Sequence, residues 1–327
     1  MKFIDFFAGI GGFHSGLEKA GMECVGWCEF DKFAQRSYRA MYDTKGVWFA
    51  DDVRKVRGWE IPKADVWTFG FPCQDVSIAG RQNGIKRGNR SGLFFEIVRL
   101  LDEKEEDKPE WLIVENVKNL LSIDGGRGFY TVLTEMGKRG YTIEWRVYNS
   151  KDYGVPQNRE RVYIVGYCGE GPGRPLLPVR KQNTRALIKL INGRQAERVY
   201  LADGVSSTLI GNAGGLGGKT GLYAFIDLCK CDKVKITDNA RTLLARYGKG
   251  IPKYKMGHSG IIEGGNPVRI RRLTPRECFR LQGFTDDQFD KAAAVNSDTQ
   301  LYKQAGNAVT VNVVEEIGKH IMEVNSQ

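Results

Sequence analysis

Through the first 167 residues, short apolar runs alternate with longer stretches of mixed polarity. The runs Lys2–Ala8, Cys24–Cys28, Val66–Gly70, Trp111–Val114, Thr142–Val147 and Val162–Tyr167 are strand-length and rich in β-branched and aromatic residues, so they predict strands. Between them, Gly12–Ala20, Lys32–Met41, Leu93–Lys104 and Phe129–Arg139 read as amphipathic helices. This rhythm predicts an α/β, doubly wound, Rossmann-like sheet, whose ligands bind at the carboxyl ends of the strands. After Gly169 the texture changes to Gly-Pro-Gly-Arg-Pro, and as far as Gly265 glycine, lysine and arginine separate short β-like runs. A second, smaller, β/loop-rich domain is expected there. Thr274–Gln282 predicts a helix opened by a Thr274–Glu277 capping box with Pro275 in its first turn, and Val311–Val324 a closing amphipathic helix.

With 327 residues, 41% of them hydrophobic, the chain can build two packed domains. The division expected is 1–175, then 176–285, with 286–327 returning to the first domain. The opening stretch is interrupted at Asp5, too short and too charged for a signal peptide or membrane span, which points to the cytoplasm. Seven cysteines form no CxxC pair, and with three histidines they lack the spacing of a metal site; Cys229 and Cys231 read as reduced strand residues. The net charge of +10 is unevenly placed. Residues 168–283 hold 21 Lys and Arg against 8 Asp and Glu, so this segment carries all of the excess. That asymmetry fits one module facing a polyanion and another facing a small molecule.

Candidate chemistry sits at the predicted strand ends. Asp5 to Phe13 runs from a strand into a helix with glycines at 9, 11 and 12, but His14 stands where a dinucleotide fingerprint needs its third glycine. Glu29 ends the next strand, placed to accept from a ribose diol, and Asp51 or Asp52 could accept from an exocyclic amine. A loop that cradles no phosphate, with acids for ribose and adenine, suits S-adenosylmethionine. In Phe71-Pro72-Cys73-Gln74 a ring-locked proline aims the cysteine. Glu115-Asn116-Val117 and Gln157-Asn158-Arg159-Glu160-Arg161 add a carboxylate and two guanidinium forks. Together these groups could add a nucleophile to a pyrimidine and steady the resulting charge.

In this order, over nearly the whole chain, the stretches Asp5–Phe13, Glu29, Gly70–Gly80, Glu115–Val117, Gln157–Val165, Arg272–Phe284 and Gln304–Val314 resemble the bacterial DNA cytosine-5 methyltransferases of restriction-modification systems. The resemblance implies an S-adenosylmethionine-dependent methyltransferase sheet beside a target-recognition domain. By it Cys73 attacks C6 of a flipped-out cytosine, Glu115 holds N3 and supplies its proton, and Arg161 and Arg159 grip the O2 edge and nearby backbone. It implies cofactor contacts at Phe7, Ala8, Gly9, Gly11, Gly12, Glu29, Phe30, Asp52, Val53, Pro72, Leu93, Asn307, Ala308 and Val309. It implies duplex DNA as partner, with Gln195 filling the space of the flipped base. Arg198 and Thr208 are phosphate-contact candidates, while Asn212, Arg241, Arg246 and Lys249 are candidates in the reading loops, for base edges or phosphate. The basic loop 81–92 would close on DNA. A monomer is expected, serving restriction-modification or protection of a phage or mobile element, with a restriction endonuclease acting on the same site without direct contact. An NAD-type oxidoreductase, a catalytically silent nucleic-acid-binding module and a transfer-RNA methyltransferase are the competing readings. Of these the last shares the Pro-Cys and Glu-Asn motifs.

Overall fold

The structure, a computed structural model, describes residues 1–71, 90–169, 175–178, 225–227, 235–237, 240–241, 259–263 and 269–326. Two compact units form: Met1–Tyr148 with Glu160–Val179 and Val313–Gln327, and Asn149–Arg159 with Arg180–Asn312.

The first unit holds β1 (Lys2–Phe6), α1 (Gly12–Lys19), β2 (Glu23–Cys28), α2 (Lys32–Met41), β3 (Trp48–Ala50), β4 (Val66–Phe69), α3 (Phe94–Lys104), β5 (Trp111–Val117), α4 (Arg127–Gly137) and β6 (Thr142–Asn149, whose last residue falls in the second unit). After β7 (Gln157–Asn158), which belongs to the second unit, β8 (Glu160–Tyr167) returns to a seven-stranded sheet ordered β3-β2-β1-β4-β5-β8-β6. Parallel pairing joins β3, β2, β1, β4 and β5, as expected for strands linked by helical crossovers. Strand β8 runs antiparallel to β5, pairing Glu115 with Tyr163 and Val117 with Arg161. Alternation along β1 sends Ile4 and Phe6 into a cluster with Trp67, Phe69, Phe94, Ile97 and Leu112, all buried. Phe3 and Asp5 point to the other face, where His14 of α1 meets Phe3 edge-on and Tyr38 of α2 stacks on Trp27. Each fully buried aromatic of this kind contributes on the order of 2 kcal/mol by burial.

The predicted strands and helices of this unit are present with ends shifted by one to three residues, and α2 matches residue for residue. One strand lies outside the expected set, and one expectation needs correction. Strand β3 gave no alternating signal, being three half-buried residues. The motifs Glu115–Val117 and Arg161 do not follow strands but lie within them. Because β8 is antiparallel, its first residues still reach the edge where β5 ends.

The second unit contains a four-stranded antiparallel sheet, ordered β10 (Lys235–Thr237), β9 (Phe225–Asp227), β12 (Ser259–Glu263) and β13 (Arg269–Arg272), and a parallel pair of β7 with β11 (Ala240–Arg241). Helices α5 (Pro275–Leu281), α6 (Asp286–Ala293) and α7 (Asp298–Asn307) follow, and α8 (Val311–Asn325) crosses into the first unit. The Thr274 capping box forms as expected: the Glu277 N–H donates to Thr274 Oγ1 and the Thr274 N–H donates to Glu277 Oε2 at 2.7 Å. A buried chain of side chains ties the unit together. Gln157 donates to the Leu281 carbonyl, Gln282 to the Ala305 carbonyl, and Thr310 to Gln282. No helix among the described residues is long and apolar enough to cross a membrane.

Candidate active site

Between β1 and α1 the chain turns through Phe7, Gly9 and Gly11, all at positive φ. Glycine enters this region freely, whereas Phe7 at φ 56° is held there by its surroundings. The Ala8 N–H donates to the Cys28 carbonyl at 3.0 Å and the Gly11 N–H to the Ala8 carbonyl at 2.8 Å. Glu29 braces the same loop, its Oε2 accepting from the Gly9 N–H at 2.8 Å and its Oε1 from the Asp31 N–H at 2.7 Å. Burial raises the Glu29 carboxyl above the usual carboxylate range, against these hydrogen bonds. Phe30, next in sequence, leaves its ring 69% exposed, an unusual placement for an aromatic at a sheet edge and a flat platform for a purine. Gly9 has open space where a Cβ would stand. An open glycine turn, a ribose-length acid and a bare aromatic face fit S-adenosylmethionine.

Asp52, buried at the end of the third unit of the sheet, already has company. Its Oδ1 accepts from the Arg54 Nε at 2.9 Å and its Oδ2 from Arg54 Nη2 at 2.7 Å, and the guanidinium lies 5.7 Å from the Phe30 ring centre. These bonds hold the Asp52 carboxyl below its ordinary range. Any amine that Asp52 receives shares it with Arg54. Val53 is buried and Leu93 half-buried against the core.

Deeper, Asp5 lies fully buried behind the loop, accepting from the Thr68 hydroxyl at 3.1 Å. Burial pushes its carboxyl up to about 8, and the nearby Glu29 adds to the rise. His14 shows the opposite response of a base, pushed down to about 4 by burial.

At the carboxyl edge of β5, Glu115 and Arg161 stand on the same sheet face, diagonal across the β5–β8 ladder. Their ion pair spans 3.0 Å from Arg161 Nε to Glu115 Oε1, with both side chains largely shielded from solvent. Glu115 Oε2 lies 3.3 Å from where a Cβ on Gly70 would be, so Gly70 leaves room for the carboxylate. Asn116 donates from Nδ2 to the Phe71 carbonyl at 3.1 Å and accepts the Val117 N–H at 2.9 Å on Oδ1. The chain is therefore pinned one residue before Pro72 and two before Cys73, beside the Glu115–Arg161 pair. No role was assigned to Asn116 from sequence, and its position inside the Glu-Asn-Val motif was the available signal.

Arg159, two residues before Arg161, goes elsewhere. It is buried in the second unit, where Nη1 donates to the Gly306 carbonyl at 3.3 Å and Nη2 to the Ala308 carbonyl at 2.9 Å. The expectation that it grips the reacting nucleotide thus meets a guanidinium engaged with protein backbone, on the segment that carries Asn307, Ala308 and Val309. Of those three, Asn307 is exposed and Ala308 buried. Pro72, Cys73, Gln195, Arg198, Thr208, Asn212, Arg246, Lys249 and the loop through residue 89 lie outside the described residues, as do Cys229 and Cys231; Arg241 is described by its backbone alone, in β11.

Residues 1–323 match the family described as C-5 cytosine-specific DNA methylase. The chain is 35% identical over 332 residues to the type II methyltransferase M.SsoII of Shigella sonnei, covering 98% of this chain and 80% of that one. It is 32% identical to M.HhaI of Haemophilus parahaemolyticus, covering 98% and 94%. Among solved structures, the methyltransferase EhMeth of Entamoeba histolytica superposes with a TM-score of 0.69 at 18% identity, covering 99% and 98% of the two chains. Dnmt2 of S. pombe gives 0.66, also at 18%. The fold is thus that of a Rossmann-like S-adenosylmethionine-dependent methyltransferase. The chain belongs to the C-5 cytosine-specific DNA methylase family, and its reaction is the S-adenosylmethionine-dependent methylation of cytosine C5 in DNA.

Proposed function

We propose that Cys73, Glu115 and Arg161 carry this reaction on a cytosine turned out of duplex DNA, and that the enzyme serves restriction-modification. The observation that supports it most is the 3.0 Å Glu115–Arg161 pair beside a chain pinned by Asn116 just before Pro72-Cys73. A stacked cytosine offers no ring face to a thiolate, so the base leaves the duplex at a cost of roughly a few kcal/mol. The Cys73 sulfur adds to C6 while Glu115, facing N3, supplies the proton that balances the charge entering the ring. Arg161 orients Glu115 and presents its remaining donors to the O2 edge. Bound S-adenosylmethionine supplies an electrophilic methyl group to C5. The C5 proton is then lost to solvent, the Cys73 sulfur leaves C6 as a thiolate, and N3 returns its proton to Glu115, which restores the aromatic ring. Phe7–Gly12, Glu29, Phe30 and Asp52 hold the cofactor, and the basic segment 168–283 meets DNA. The relatives' description as type II methyltransferases supports a restriction partner acting at the same site, and the proposal includes a monomer working in the cytoplasm.

The test uses target duplexes carrying 5-fluorocytosine. After methyl transfer C5 holds fluorine and methyl with no proton to lose, so Cys73 stays bonded to C6. A slow-migrating adduct on a denaturing gel is expected from the wild type and not from Cys73→Ser, with DNA binding retained by the variant. An adduct formed by Cys73→Ser would remove Cys73 from this role.

A further inference from the structure

Helix α1 begins at Gly11, a residue in the left-handed region with no side chain to cap the helix. The carbonyls that precede it belong to the turn assigned above to the cofactor. A side chain from the end of α2 donates to two of those carbonyls. Tyr42 brings its hydroxyl to 2.8 Å from the Gly11 carbonyl and 3.1 Å from the Ile10 carbonyl. Ser15 Oγ stands 2.6 Å from the same hydroxyl, so the protons balance when Ser15 donates to Tyr42 and Tyr42 donates to the carbonyls. The ring is fixed from two sides. It stacks on His14 at 3.9 Å between centres, and its Cε2 lies 2.5 Å from where a Cβ on Gly11 would stand. Glycine at 11 is required both by φ and by this ring.

We propose that Tyr42 is a positioning residue for the methyl donor: it holds the Ile10–Gly11 end of the turn in its bound shape before the cofactor arrives. Glu29 holds the Gly9 end from the opposite side. Phe7 sits in a conformation that persists only where its surroundings over-determine it, and the two braces supply that. Without the Tyr42 hydroxyl the turn samples other shapes, and the cofactor must order it on binding, at the expense of affinity. The proposal rests on the assignment of this turn to the cofactor.

The same cluster contains a matched control. Tyr38 is also buried, and its hydroxyl bonds His14 Nδ1 at 2.6 Å and Cys24 Sγ at 3.7 Å rather than the turn. Tyr42→Phe and Tyr38→Phe each delete one buried hydroxyl and keep the ring. Calorimetric titration with S-adenosylmethionine should show Kd rising about five-fold or more for Tyr42→Phe, the weight of roughly one hydrogen bond. Tyr38→Phe should lower Tm with Kd unchanged. Equal weakening by both variants, or no change in Kd for Tyr42→Phe, overturns the proposal. Glu29→Ala separates this from failure of the assignment itself. If it weakens binding while Tyr42→Phe does not, only the role of Tyr42 falls; if neither does, the turn is not the cofactor's and both fall. Should Tyr42→Phe not fold, Ser15→Ala decides, since it removes the proton that Tyr42 accepts: a rise in Kd supports the proposal and an unchanged Kd overturns it.

Discussion

Replacing Asp5 with asparagine should change how stability depends on pH, in a direction fixed by where the carboxyl sits. In the fold it titrates near 8, against 3.8 for an ordinary aspartate, because β1 buries it completely behind the β1–α1 turn. Between those values the folded state holds a proton that the unfolded chain has released, so stability falls as pH rises, by about 1.4 kcal/mol per pH unit for a single group. The contribution is complete below pH 3.8 and gone above about 8. His14 works the other way: folded it titrates near 4 and unfolded near 6.5, so its contribution is absent below 4 and grows until 6.5. The two slopes oppose each other up to about pH 6.5, and beyond it the fall due to Asp5 remains. Asp5→Asn keeps an acceptor for Thr68 and keeps His14, so subtracting the two proteins' curves isolates Asp5. Urea unfolding at pH 5, 6.5 and 8 should show the variant gaining on the wild type steadily, by several kcal/mol in all. Parallel curves would refute the reasoning, since they would mean that Asp5 titrates alike in both states.

Gly11→Ala and Gly9→Ala make a contrasting pair. Both sit at positive φ, costing roughly 1 kcal/mol for a Cβ, but Gly9 faces open space whereas at Gly11 the new methyl meets the Tyr42 ring at 2.5 Å. Urea unfolding should therefore show a loss at 11 at least about 2 kcal/mol larger than at 9, and equal losses would show that the ring moves aside freely. Arg159→Lys replaces a fork that reaches two carbonyls with a point donor that reaches one. Steady-state kinetics should show KM for S-adenosylmethionine rising more than KM for DNA if the freed Gly306 and Ala308 carbonyls lie on a cofactor-holding segment, as the family resemblance implies; a rise confined to DNA would instead place Arg159 on the nucleotide.

Much of the first unit was legible because its strands are contiguous apolar runs and its helices carry full amphipathic stripes. The capping box at Thr274 was readable for the same local reason. A second box, Thr285 with Gln288, opens α6 and was equally local, but a polar helix with only Phe289 and Ala292 buried offers little periodicity to notice. Strand β3 has three half-buried residues and no pattern. Arg159 and Arg161 are separated by one residue in a charged run, and no local pattern shows which partner each finds. What parts them is long-range: one meets Glu115 across the ladder, the other meets carbonyls some 150 positions away in sequence. Tyr42 and Asn116 were silent for that reason too, since each acts through a backbone carbonyl, which leaves no mark in sequence.

The antiparallel return of β8 makes the Glu115–Arg161 pair a checkpoint on assembly. Strand faces alternate residue by residue, so sliding β8 by one position along β5 would carry Arg161 to the opposite side of the sheet and bring Glu160 or Val162 toward Glu115. A slipped chain would then bury an acid without its cation, a fault costing several kcal/mol. Mispaired copies are thus eliminated by instability, and the population that survives folding is uniform at this edge of the sheet.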